Sequence, residues 1–101
     1  KSFMNQYMVD ITLPRYLSEE FVSLIPSQRS QVNKLMGRGI LNSYSLSADR
    51  SKIWTVINAD TKKDAELTLG TFPLVKFMNY QIYQLAFNNN IAQILPRFSL
   101  N

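Results

Sequence analysis

The chain has 101 residues, 46% of them hydrophobic and 12% aromatic, with 11 basic against 7 acidic side chains and a net charge of +4. That length supports one domain, and a domain of this size buries only about 60–70% of its unfolded surface, so oligomerisation is a natural supplement to its stability. With no cysteine and no histidine, the composition excludes disulfides, thiol nucleophiles, cysteine- or histidine-based metal sites and an imidazole general base.

No apolar run approaches the ~20 residues that span a bilayer, and no charged segment followed by an apolar one opens the chain. No membrane association is expected, and the expected location is cytoplasmic. The basic residues are scattered. Arg29, Lys34 and Arg38 fall on one predicted helix and read as a solvated face, so no nucleic-acid partner is expected.

Lys1–Gln6 is a polar lead-in. Tyr7–Leu13 then alternates, with Tyr7, Val9, Ile11 and Leu13 on one side and Met8, Asp10 and Thr12 on the other, as in a half-buried strand. Pro14 ends it. Ser18 is a good helix N-cap, and Glu19 and Glu20 suit the positive end of a helix dipole. Phe21, Leu24, Ile25, Gln28, Val32, Leu35 and Met36 recur at helical spacing up to Gly37-Arg38-Gly39. Pro26 interrupts them, and the expectation is a kink, or a short helix restarted with Pro26 in its first turn.

Gly39–Ala59 reads as a β-hairpin about the polar turn Ala48-Asp49-Arg50-Ser51. That turn sets Leu46 opposite Ile53, Tyr44 opposite Thr55 and Ser45 opposite Trp54. Ile40, Leu46, Ile53 and Ile57 then share one face, and Leu41, Trp54 and Val56 the other. With both faces partly apolar, the second is expected to be covered by another subunit. Asp60-Thr61 caps a second helix in which Ala65, Leu67, Leu69 and Phe72 face the core, and Gly70 and Pro73 end it. Phe72-Pro73-Leu74 and Phe77-Met78 form a connection lying against the core. Tyr80–Phe87 is the last strand. Asn88-Asn89-Asn90 links it to an apolar tail of Ile91, Ile94, Leu95, Phe98 and Leu100, expected to pack on this subunit or a neighbour. The chain divides into a domain over 1–88 and a tail over 89–101, a candidate oligomer arm.

The element order is β-α-β-β-α-β, an α+β ferredoxin-like arrangement with an antiparallel sheet. No phosphate-binding loop, nucleophile elbow or zinc-binding motif occurs. The candidate site residues are single polar or aromatic side chains on apolar elements. Asp10, mid-strand, is either a general base or the partner of a nearby Arg or Lys. Tyr44, Tyr80 and Tyr83 are either phenolic donors to a substrate oxygen or packing residues with hydroxyls at the rim. Trp54 either floors a pocket for a flat ligand or packs in the sheet. Arg29, next to the apolar stripe, either grips a carboxylate or is solvated. Asp49-Arg50-Ser51-Lys52 needs only its turn role.

The first strand running into Leu13-Pro14, the helix ending at Gly39 and the segment Phe72-Pro73-Leu74…Phe77-Met78-x-Tyr80 together resemble muconolactone Δ-isomerase and its relatives. The relatives are closer through Pro26…Gln28-Arg29 and Asp49-Arg50-Ser51-Lys52-x-Trp54. The resemblance covers roughly residues 7–88. It implies a subunit that pairs through its sheet into a dimeric α/β barrel and assembles further, up to a decamer. It also implies proton-transfer isomerisation of a lactone without metal or cofactor, in a cleft near subunit contacts. No residue role is carried over from the family. From the residues themselves, the expected catalytic set is Asp10 as base with Tyr44 or Tyr80 polarising a carbonyl. Arg29, Trp54 and Tyr83 would contact the substrate. The alternative expectation is a non-catalytic oligomeric module that binds a small molecule or serves assembly.

Overall fold

The structure, a computed structural model, describes residues 3–90. Its elements run β1 (Asn5–Thr12), α1 (Glu19–Gly37), β2 (Leu41–Leu46), β3 (Lys52–Ala59), α2 (Lys62–Leu69), a 3₁₀ turn (Val75–Phe77) and β4 (Asn79–Gln84). The four strands form one antiparallel sheet in the order β2-β3-β1-β4. This is the α+β ferredoxin-like arrangement. None of the helices among the described residues is long and apolar enough to cross a membrane.

The alternation in β1 decides which side of the sheet the helices cover. Tyr7, Val9 and Ile11 are buried beneath them, while Met8 and Asp10 point to the other, open face. Ser18 caps α1 as its spacing predicts, its hydroxyl accepting from the Phe21 N–H at 3.1 Å. The helix ends on a Schellman closure, with Ile40 N–H donating to Leu35 O and Gly39 N–H to Met36 O. Gly39 takes φ 73°, a conformation open to glycine without a Cβ penalty.

The expected interruption at Pro26 does not divide α1, which continues for 19 residues. Proline leaves the Val22 carbonyl without its helical donor, but both residues lie on the solvent side, where water can serve that oxygen. Packing of Phe21, Val32 and Leu35 on the opposite side, before and after the proline, holds the helix together.

The hairpin register is the one the turn predicts: Leu46 opposite Ile53, Tyr44 opposite Thr55, Ser45 opposite Trp54. One face assignment needs correction. A bulge between Leu41 and Ser43 inserts Asn42, so Leu41 pairs with Ile57 and joins the core under the helices instead of the open face. A single extra residue reverses which side Leu41 faces, while Ile40, just before the strand, still packs against the core.

Thr61 caps α2 through a 3.1 Å bond from the Asp64 N–H. Ala65 and Leu69 are buried, but Leu67 is 62% exposed and does not belong to the core face. The following connection packs inward as expected, with Phe72, Leu74 and Met78 all buried. Beyond β4, Leu85 N–H donates to Gln6 O and the Asn88 amide to Asn42 Oδ1 at 3.1 Å, so the chain crosses the end of the sheet from the β4 edge to the β2 edge. The apolar tail residues from Ile91 onward lie outside the described residues.

Candidate functional site

Between α1 and the β2–β3 hairpin lies a cavity of about 390 Å³. Its walls are Phe21, Ile25 and Val32 from α1, Leu46 and Ile53 from the hairpin, and Leu74 from the connection. The helical spacing places positions 21, 25, 28 and 32 on one face, so Gln28 is the single amide in an apolar stripe. It is only 5% exposed. Its Oε1 accepts from the Leu74 backbone N–H at 3.1 Å, and its Nε2 donates to the Tyr44 hydroxyl at 3.2 Å.

Tyr44 is carried by β2 on the helix-covered face, opposite Thr55, with its ring edge-on to Phe72 at 6.2 Å between centroids. Burial pushes its phenol above the ordinary value of 10.0, against the opposing effect of the Gln28 bond, so the hydroxyl is neutral at pH 7. Tyr44 and Gln28 thus form a short polar floor between the apolar walls.

Two guanidinium groups line the same cavity, Arg29 from α1 and Arg50 from the hairpin turn. Neither takes part in an ion pair among the described residues, whose only ion pairs are Lys52–Asp10 and Lys76–Glu20. The turn that carries Arg50 is built by Asp49. Its Oδ1 accepts from the Ser51 and Ser47 hydroxyls, both at 2.7 Å, and from the Ser51 N–H at 3.0 Å. These bonds, the one from the Ser51 hydroxyl foremost, lower the carboxyl to about 2. Arg50 N–H closes the turn on Ser47 O at 2.9 Å and adopts φ 64°, the left-handed conformation that usually falls to glycine or asparagine. Among the described residues no Asp or Glu lines the cavity.

The structure divides the residues picked from the sequence. Tyr44 and Arg29 meet at the cavity. Asp10, Trp54 and Tyr83 lie on the open face of the sheet, where Asp10 stands across from Trp54 on one side and Gln81 on the other. Asp10 has a lysine partner, Lys52 Nζ at 2.6 Å, which also donates to Thr12 Oγ1 at 2.9 Å. The contact is ionic, since Oδ1 lacks a well-directed hydrogen bond. Trp54 and Tyr83 are 40% and 55% exposed beside Met8 and Val56. Tyr80 sits at the β4 edge opposite Ile11, apart from both groups.

Gln28 and Arg50 are the functional candidates that reading the sequence missed. The first was visible as an amide in an apolar stripe, the second as an arginine in a tight turn that has no glycine. A second hollow, about 450 Å³, opens at the other end of the sheet and includes Gln6, Asn42 and Asn58. Its amides are largely bonded within the fold: Gln6 donates to Asn58, Asn58 to Gly39 O, and Asn42 accepts from Asn88. Among the described residues no three His, Cys, Asp or Glu side chains come together as metal ligands would. Compared with protein-family models and with curated proteins, the chain matches none.

Proposed function

We propose that the chain is a binding module for a small amphipathic molecule, seated in the α1–hairpin cavity with its apolar body inward and a carboxylate towards the arginines. The observation that carries this reading is the make-up of the cavity: apolar walls, one neutral hydroxyl, the amides of Gln28 and Asn33 and, among the described residues, two unpaired guanidinium groups and no carboxylate. A planar guanidinium takes a carboxylate through two parallel hydrogen bonds. The volume of about 390 Å³ falls within the usual range of small-molecule sites, about 300–1,000 Å³. Calorimetric titration with 4-phenylbutyrate tests the reading. Binding that weakens several-fold in Arg29→Ala supports it. No heat, together with no amide shift along α1 and β2 by NMR, refutes it.

Cofactor-free proton transfer on a lactone, as in muconolactone Δ-isomerase, is a second reading. It is favoured by the Tyr44 hydroxyl, which can polarise a carbonyl while a proton moves. It requires a base, and within one subunit Asp10 stands on the far face of the sheet beside Lys52. Deuterium uptake from D₂O into muconolactone in the presence of the protein supports this chemistry, and unlabelled lactone after prolonged incubation removes it.

We also infer that two copies meet through the open sheet face as a dimeric α/β barrel able to assemble further, up to a decamer. Met8, Trp54 and Tyr83 form a partly exposed apolar strip across three strands of that face, beside the buried Val56. A strip of this kind marks a contact surface.

A further inference from the structure

We infer that the cavity selects its ligand by hydrogen-bond polarity: it favours a molecule that presents an acceptor oxygen, such as a ketone carbonyl, to Tyr44. This rests on the binding function proposed above and goes further, by naming what the buried part of the ligand must carry. The Leu74 backbone N–H is a group that can only donate. It points at Gln28 over 3.1 Å in a buried setting. The atom facing it must therefore be the amide oxygen, which settles the orientation of the whole side chain. The Gln28 NH₂ group is then turned towards Tyr44, 3.2 Å away. An amide nitrogen can only donate, so the phenol oxygen must accept.

A phenol that accepts from one side directs its own O–H elsewhere. Among the described residues no group accepts that proton. Tyr44 lines the cavity, so the proton is available to the cavity's contents. A partly buried hydroxyl facing apolar carbon loses a hydrogen bond it could make in water, whereas one facing a carbonyl regains it. The chain of donors therefore runs Leu74 N–H to Gln28, Gln28 to Tyr44, and Tyr44 to the ligand. Arg29 and Arg50 add an anion requirement at the same cavity. Together they describe an apolar oxo acid. Gln28 is a positioning residue in this scheme, since it acts through Tyr44.

Two matched pairs of probes test the idea: 4-phenylbutyrate with 4-oxo-4-phenylbutyrate, and 5-phenylpentanoate with 5-oxo-5-phenylpentanoate. The oxo acid of at least one pair should bind the wild type about 3–10-fold more tightly than its methylene partner, the span of one net hydrogen bond. In Tyr44→Phe the preference should vanish while the methylene acids keep their affinity. In Gln28→Glu the carboxylate accepts from both Leu74 and Tyr44, the phenol lone pairs turn to the cavity, and the preference should reverse. Should Gln28→Glu not fold, Tyr44→Phe alone decides. Equal binding within both pairs, or an oxo preference that survives in Tyr44→Phe, overturns the inference and leaves the binding function standing. If none of the four acids binds the wild type, both fall.

Discussion

Replacing Gln28 by leucine tests how much the polar floor contributes to the fold itself. Leucine has nearly the same size but strands the Leu74 N–H, a donor buried between α1 and the connection. An orphaned buried amide costs about 1–3 kcal/mol, and losing the Tyr44 bond adds about 0.5–1.5 kcal/mol. Burying leucine carbons in place of an amide returns about 1–2 kcal/mol. The mid-range values leave a net loss of about 1.5 kcal/mol, which for a domain of this length lowers the thermal midpoint by roughly 6–12 °C. Gln31→Leu is the control, since its amide reaches Thr71 Oγ1 in an exposed bond and should cost no more than about 0.5 kcal/mol. Thermal unfolding by circular dichroism at neutral pH reads both. If Gln28→Leu melts within about 2 °C of the wild type, the Leu74 N–H is not sequestered as described, and the ordering of donors built on it loses its starting point.

Arg50→Gly should relieve the left-handed backbone, raising the thermal midpoint slightly while weakening 4-phenylbutyrate binding in titration; an unchanged affinity would detach Arg50 from the site. Asp49 has a folded-state value near 2, below its ordinary 3.8, so the stability it contributes is present above about pH 4 and lost as pH falls towards 2. Asp49→Ala should flatten the melting-temperature profile across that window. Tyr44 is shifted the other way, so its contribution is intact below pH 10 and declines as pH rises further, and Tyr44→Phe should reduce the alkaline fall in melting temperature. Trp54→Glu sets a second carboxylate beside Asp10 on the open face, and sedimentation should then give a smaller particle than the wild type; an unchanged mass would rule out pairing through that face.

Much of the fold is legible in the order of residues because local periodicity and turn chemistry act over short distances. The alternation Tyr7, Val9, Ile11 marks β1 and its buried side, and Ser18 and Thr61 mark where the two helices start. The polar cluster Ala48–Ser51 sets the hairpin register to the residue. What fails is what depends on distant partners. The restarted helix that Pro26 allowed does not occur, because core contacts before and after it outweigh one missing hydrogen bond. Leu67 carries the same apolar signal as Leu69, but at 3.6 residues per turn it lies on the opposite side of α2 from Ala65 and Leu69, and it is left in solvent. The bulge at Asn42 leaves no mark in the alternation, yet it moves Leu41 from one face to the other.

The candidate site shows the same division more sharply. Tyr44, Arg29 and Asp10 are each noticeable as polar groups on apolar elements, and residue order alone treats them as one constellation. The strand register separates them, because neighbouring positions on a strand point to opposite faces and Asp10 falls on the face away from the helices. Arg50 lines the same cavity as Arg29 although 21 residues separate them in the chain. Gln28 acquires its meaning from a backbone N–H 46 residues away. Composition had already removed histidine and cysteine chemistry. Which of the remaining polar groups share a cavity, and which of them must donate or accept there, is decided by three-dimensional contact, since hydrogen-bond direction belongs to pairs of atoms and not to residue types.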